Sequence, residues 1–576
     1  MKAAFSPDAQ TEKEDRISAF HSAFCLLPWF WRMVLGPFLF YAVWYFLLSF
    51  PLVMKFNSEF FADRWDGYQM VWDLWWVRHA IVDLHQSLFT TGYLHYPYGT
   101  SLLLHSLMPF NGLLSIPLAA VLTEIQVFNM FVILAFAGSG LTAFWLCWKV
   151  TRSYWPSIAG GFAFAFCSYR WAHSFGHLHL ISTEWTPLYV LGLLSLLLRP
   201  RTATAIATAI ALLLALLCDQ YQFLDCLLVT VIVLLWWGWS GDARQELRRA
   251  HVIALGVFAL TAALTCGPIV MAMAHEADRA PLLRTHDPEM YSADMLGPWV
   301  PDWVWLYNGY TRFLWNSPTA FYVEKSVCLG PAVVIAAAFA FFPRRRRPRA
   351  ELGSLPLFAA ISVVFIALCF GPTWRFWTMP VTTLTPYRAL ATLLPSLQVA
   401  GCPGRMIIIA QLAVSVLAAA GLSRLGDKPG GARSTARPVL LVILFGISMV
   451  IESQPRVLMS VPAAVPKWVE LVRDDPSPGA VIDLVEEGGT LDLFYQTVHH
   501  RPIAMGEISR ISSDTNAATQ SVLDAVAQGR YDLLAREGFG FIVARTSAPP
   551  LALSLIYSDR RVRLYRLPAI PEAAGE

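Results

Sequence analysis

Two acids, Asp63 and Asp66, open the stretch of this chain best equipped for chemistry: Glu59-Phe-Phe-Ala-Asp-Arg-Trp-Asp-Gly-Tyr-Gln-Met-Val-Trp-Asp-Leu-Trp-Trp76. With a helix starting near Asp66, a step of about 100° per residue puts Asp66, Gln69 and Asp73 on one stripe. The same step gathers Tyr68, Trp72, Trp75, Trp76 and His79 on the adjacent stripe. An aromatic face beside an acidic face suits a helix lying at a membrane–water boundary, with Trp and Tyr at headgroup depth. Carboxylates held there, beside hydrocarbon, can have raised pKa values and can exchange protons with a lipid-linked substrate. The same acids would serve equally as the water-facing side of a simple interfacial anchor.

Other side chains could join them. His173, His177 and His179 crowd one short segment, and the one-turn spacing of His173 and His177 can ligate a metal, bind a phosphate or satisfy a polar boundary. Mg or Mn is compatible with these residues, although no ligand cluster in the sequence demands a cation. Arg405 follows Pro403-Gly404 at the start of an apolar run, where a guanidinium either binds phosphate or snorkels to headgroups. Arg388, shortly before it, is a second cationic candidate. Asp219-Gln-Tyr-Gln222 with Asp225, and Asp294 and Asp302 with Trp299, Trp303 and Trp305, can line a site or simply form turns and membrane-lying loops. A phosphate-cradling glycine loop, a nucleophile elbow and an HExxH pair are all missing, which argues against nucleotide-driven chemistry.

The elements that must position these groups are membrane helices. Of the 576 residues 56% are hydrophobic and 14% charged, and apolar runs of spanning length recur from Val34 to about Ser453. A net charge of +3 gives no case for nucleic acid. The nine cysteines include no CxxC pair and read as small core residues. Residues 1–33 lack the pattern of a removable signal peptide. The expected spans are 34–54, 125–148, 155–173, 184–199, 202–218, 222–239, 251–273, 325–343, 354–372, 404–423 and 438–455. The run 102–123, interrupted by Pro109, Asn111 and Pro117, is expected to dip in and return or to lie flat.

Charge sets the orientation. Arg344-Arg-Arg-Arg-Pro-Arg349 is expected to be cytoplasmic, and the basic loops at Lys149–Arg152, Arg199–Arg201, Arg244–Arg249 and Arg424–Arg437 then fall on the same side. The N-terminal segment 1–33 is thus inside. Two large outer loops follow, 55–124 and 274–324. Beyond the transmembrane region 34–455, residues 456–576 change character: strand-length runs at 480–485, 538–544 and 561–567 alternate with helical patterns at 464–474 and 515–537. They predict a small α/β domain outside the membrane.

This layout resembles the GT-C superfamily of membrane glycosyltransferases, and an uncharacterised bacterial branch of it in particular. The residues that carry the resemblance are Asp66-Gly-Tyr-Gln-Met-Val-Trp-Asp-Leu-Trp-Trp-Val-Arg-His79, Tyr96-Pro-Tyr-Gly-Thr-Ser-Leu102, Gly161–Phe166 with His173 and Gly176-His-Leu-His179, Pro403-Gly-Arg405, Tyr495-Gln-Thr-Val-His499 and Ser509-Arg510. The resemblance implies a polytopic α-helical fold whose first outer loop carries the catalytic acid. It also implies a polyprenyl-phosphate sugar donor, an envelope acceptor, a bacterial inner-membrane location and, in some relatives, a divalent cation. Many members show two adjacent acids where this chain has Asp63 and Asp66 three apart. Sugar transfer needs a base for the acceptor hydroxyl and positive charge for the departing phosphate. Asp66, with Asp63 sharing the proton or holding a cation, is the expected base. Arg405, Arg388, His173, His177, His179 and Gln69 are the expected substrate-binding groups. A flippase or exporter of lipid-linked glycans is the alternative. Such a pathway would place polar groups along several spans, whereas 206–217 and 329–342 are almost purely apolar.

Overall fold

The computed structural model describes residues 28–568 apart from 240–248, 284–285, 302, 316–322, 343–354, 395–396, 398–399, 427–435, 457 and 487–488. Most of the N-terminal segment, the basic run Arg344–Arg349, most of Arg244–Arg249, residues 427–435 of the last basic loop, and Asp302 therefore lie outside the described residues.

Among the described residues six helices are long and apolar enough to cross a membrane: Pro28–Leu48, Glu124–Thr151, Leu178–Leu198, Gln220–Trp239, Arg249–Arg279 and Pro403–Leu425. Thr202–Cys218, Pro331–Phe341, Leu355–Cys369 and Val439–Glu452 are shorter apolar helices. Helix is the form that satisfies every backbone group within one segment where water is excluded. The ends follow local rules. Thr123 and Gln126 form a capping box at the start of Glu124–Thr151, and Arg152 closes that helix in the left-handed conformation. The run 102–123 forms only the ten-residue helix Pro109–Leu118, which is too short to cross.

The expected span 155–173 is broken into Tyr154–Ala165 and Ser168–His173. Arg170 mends the break. Its guanidinium, wholly buried, donates to the carbonyls of Ala165 (2.9 Å), Ile181 (2.6 Å) and Ala135 (2.8 Å). These bonds satisfy the buried guanidinium and tie the broken segment to the helix Glu124–Thr151.

Beyond the helices, Ser554–Ser558, Val562–Arg566, Phe539–Arg545 and Ala480–Asp483 form one mixed four-stranded sheet in that order, with the last pair parallel. Three of these strands stand where the alternating pattern puts them. Ser554–Ser558 and the helix Thr490–His499 carry no comparable signal. Two strand pairs stitch this unit to the outer loops, Glu59–Phe60 with Val461–Pro462 and Leu282–Leu283 with Ile511–Ser512.

The helix Asp66–Arg78 forms as the stripe pattern predicts, but its aromatic face is buried against protein. Trp72 and Trp76 are fully buried and stacked 5.6 Å apart. Trp72 Nε1 donates to Gln496 Oε1 (2.7 Å), and Tyr68 stacks on Phe494 at 4.6 Å. The reason is area. Each large aromatic removed from water contributes roughly 1.5–3 kcal/mol, and the C-terminal unit together with Leu88 and Tyr93 of the first outer loop covers the face. Asp73 is buried too, bonded to His105 Nε2 (2.8 Å), while the His105 Nδ1 accepts the Ser509 N–H (3.0 Å).

Candidate active site

The acids are set by the turn that starts the helix. Asp63 Oδ1 accepts the N–H groups of Trp65 (2.9 Å) and Gly67 (3.0 Å), so Asp63 and not Asp66 caps the first turn. That frees the Asp66 carboxylate, whose side chain is 47% exposed, to meet His177 Nε2 at 3.0 Å. The approach requires Gly176. A Cβ there would stand 2.9 Å from Asp63 Oδ2 and 3.1 Å from the Asp66 Cβ. The Asp63 N–H also donates to the Phe175 carbonyl, which ties the two loops together.

Behind His177 lies a second layer. The His173 and His177 Nδ1 atoms are 3.1 Å apart, although the two residues are not on one continuous helix. A turn follows His173, and the His177 N–H still donates to the His173 carbonyl (2.9 Å), which preserves the one-turn approach. His173 Nε2 has no hydrogen-bond partner and points towards Glu324 Oε2 at 3.8 Å. Glu324, buried in the short turn Val323–Lys325, receives Arg405 in a forked pair, Nη2 to Oε1 at 2.6 Å and Nε to Oε1 and Oε2 at 3.0 and 3.1 Å. The Arg405 guanidinium also lies over the Tyr221 ring, 4.6 Å from its centre.

This wiring sets the charges. Burial pushes the Asp63 carboxyl up, and the nearby Asp66 charge adds to that. Burial also raises Asp66, but the hydrogen bond and charge of His177, with help from Arg405, outweigh it and leave Asp66 below the usual carboxylate value. For His177, burial disfavours the cation, yet the Asp66 hydrogen bond and charge prevail and raise its pKa. Glu324 is likewise disfavoured by burial and is nonetheless held far down by Arg405, with His173 and His177 adding to the effect. A half-exposed ionised acid, bonded to an imidazole and backed by a carboxylate–guanidinium pair, can take a proton from a substrate hydroxyl.

His173, His177 and Glu324 offer ligand atoms within 4.8 Å of one another, a set able to hold a metal ion. The orphaned His173 Nε2 is consistent with a cation there. Two imidazoles and one carboxylate suit Mn or a similar transition ion better than Mg, which prefers an all-oxygen shell.

Not every expected group joins this cluster. Gln69 donates to Ser106 Oγ (3.2 Å), on the side facing the C-terminal unit. The buried His179 ring packs edge-on against His177, centroids 5.7 Å apart, with its Nδ1 facing Met70 Sδ at 3.3 Å, so it backs the cluster from beneath the first-loop helix. Arg388 pairs with Glu289 (3.4 Å) and the Pro372 carbonyl (2.7 Å), neither of them in the cluster. Arg405 belongs, but its charge is committed to Glu324. Glu324 itself escaped sequence reasoning. The signal was an acid at the outer edge of a predicted span, level with Asp66.

A family profile described as "Domain of unknown function (DUF6311)" matches residues 38–448. The chain belongs to the DUF6311 family. Compared with curated proteins, this DUF6311 chain matches none. Among solved structures it resembles arabinofuranosyltransferase AftD from Mycobacteria, with a TM-score of 0.54 and 15% identity over 94% of this chain and 40% of that one. It also resembles ArnT from Cupriavidus metallidurans bound to undecaprenyl phosphate, with a TM-score of 0.50 and 12% identity over 94% and 100% of the two chains. The archaeal oligosaccharyltransferase AglB from Archaeoglobus fulgidus aligns with a TM-score of 0.43 and 14% identity over 89% and 69%. This DUF6311 protein shares its fold with AftD and ArnT.

Proposed function

We propose that this protein is a multi-pass glycosyltransferase that moves a sugar from a polyprenyl-phosphate donor to a cell-envelope acceptor. It works on the outer face of the bacterial inner membrane, with the N-terminus in the cytoplasm. The observation that carries this reading is the half-exposed, ionised Asp66 held at 3.0 Å by His177 and backed by Glu324 and Arg405. Support also comes from the fold shared with AftD and with ArnT, which was solved with undecaprenyl phosphate bound.

In this reading Asp66 takes the proton of the acceptor hydroxyl as its oxygen attacks the donor's anomeric carbon. The bond from that carbon to the phosphate oxygen breaks, and the lipid phosphate leaves with the electron pair. Asp63 holds the helix start by accepting the N–H groups of Trp65 and Gly67. His177 orients Asp66. Arg405 keeps Glu324 ionised through their forked pair. His173, His177 and Glu324 would hold a divalent cation, which when bound supplies charge neutralisation for the phosphate.

Sugar transfer by the purified protein in lipid, from a panel of radiolabelled polyprenyl-phosphate sugars, tests the proposal. Transfer or donor hydrolysis that collapses in a folded Asp66→Asn variant supports it. Loss in Asp63→Asn with survival in Asp66→Asn would move the base to Asp63. A wild type inert on every donor, with lipid-linked glycan crossing the bilayer, would replace the enzyme with a flippase.

A further inference from the structure

Between the apolar helices Leu355–Cys369 and Pro403–Leu425 the chain builds a β-hairpin, Trp374–Phe376 with Met379–Thr382, and then the helix Pro386–Leu393. The outer side of this segment is apolar. Trp377 is 56% exposed, Met379 69%, Leu384 92% and Leu393 77%, with Phe376 and Val381 beside them. From 374 to 394 the only charged residues are Arg375 and Arg388. Glu289 receives both, at 2.8 and 3.4 Å, on the side of the outer loop.

We propose that this segment buries its apolar face in the membrane leaflet on the side of the C-terminal unit. Two observations choose lipid as the occupant. The segment connects the ends of two apolar helices, which puts it at the membrane boundary, and the first of those helices also exposes apolar residues such as Val363. In addition, a Trp sits at the hairpin tip with Met, Leu and Val around it, the composition of an interfacial anchor.

The tip itself argues that the Trp side chain matters. Trp377 and Thr378 both have positive φ, 48° and 70°, a turn that Asn-Gly would form without strain. The Asp294 carboxylate holds the strained turn by accepting the N–H groups of Trp377 (3.2 Å) and Thr378 (2.8 Å). The inner side of the helix turns Tyr387 towards a cavity that Arg405, Tyr221, Leu397 and Met406 also line. The leaflet-facing segment is therefore one wall between lipid and the Arg405 cavity.

The proposal rests on the membrane-spanning fold and not on the reaction, so its test needs no activity. The full-length protein is labelled with an environment-sensitive dye at Leu384→Cys and reconstituted in liposomes. Unsubstituted protein, whose described cysteines are all buried, gives the background. Arg560→Cys, on the exposed rim of the C-terminal sheet, gives the aqueous reference. Lipids carrying a shallow acyl-chain spin label are expected to quench Leu384→Cys, and aqueous iodide to quench it about tenfold less than Arg560→Cys. Iodide quenching equal at the two positions overturns the proposal. Shielding from iodide without quenching by the spin-labelled lipid, lost on diluting protein into more lipid, would assign the face to a second copy of the chain and also overturn it. The same measurement at Trp377→Cys guards against a purely local effect.

Discussion

Removing Arg405 is expected to be among the most damaging single changes in the molecule, and the reason is electrostatic. Glu324 is 5% exposed and receives three contacts from Arg405 of 2.6 to 3.1 Å. Arg405→Ala leaves that carboxylate buried with only His173, at 3.8 Å, and His177 to oppose its charge. Breaking a buried pair from one side costs about 3–5 kcal/mol. Removing both partners in Arg405→Met with Glu324→Leu is expected to restore much of the loss, because neither charge is then desolvated alone. The sign of the pH dependence follows from Glu324, whose pKa lies below its ordinary 4.5. A depressed acid stabilises the fold above its unfolded value and loses that contribution as pH falls. The gap between wild type and Arg405→Ala should therefore be full near pH 7 and should narrow on acidification towards and below about 4.5, as the uncovered Glu324 takes up a proton. Thermal and denaturant unfolding of the reconstituted protein across this range, for the four members of the double-mutant cycle, provide the assay. An Arg405→Ala variant within about 1 kcal/mol of wild type, or a double variant at the sum of the singles, would refute the reasoning.

Three further outcomes follow from the same geometry. Asp66→Asn is expected to cut sugar transfer by about 10²–10⁴-fold, whereas Asp63→Ala should lower stability by about 1 kcal/mol through the lost cap; kinetics and unfolding of both variants are measured on the same samples. The Asp66–His177 pair combines a lowered acid with a raised imidazole, so its stabilisation is complete between their ordinary values of 3.8 and 6.5. It should fade as pH rises through the raised pKa of His177 and as it falls through the lowered pKa of Asp66, measured as the melting-point difference between wild type and His177→Gln across pH. Calorimetry with Mn alone should show one site that both His177→Ala and Glu324→Gln abolish, with Mg binding more weakly.

Much of this could be read from residue order. Length and hydropathy decide that the chain is a membrane protein, since long apolar runs leave no other folded solution. Local periodicity decides that a helix begins at Asp66 with acids on one stripe, and Asp63, Asp66, His173, His177 and Arg405 do meet in one cluster. Strand-length alternation marks three of the four strands of the C-terminal sheet. Contacts between distant segments were not legible. The aromatic stripe could not announce whether lipid or protein would cover it, because both remove the same area from water. Only the approach of Gln496 and Phe494, more than four hundred residues later, selects protein. Likewise a boundary Arg reads as a phosphate ligand until Glu324 is seen within 2.6 Å of it. Which acid caps the helix and which faces the site also depended on the tertiary structure. Asp63 and Asp66 are chemically equivalent in the sequence, and it is the turn at Trp65 and the approach of His177 past Gly176 that make them different.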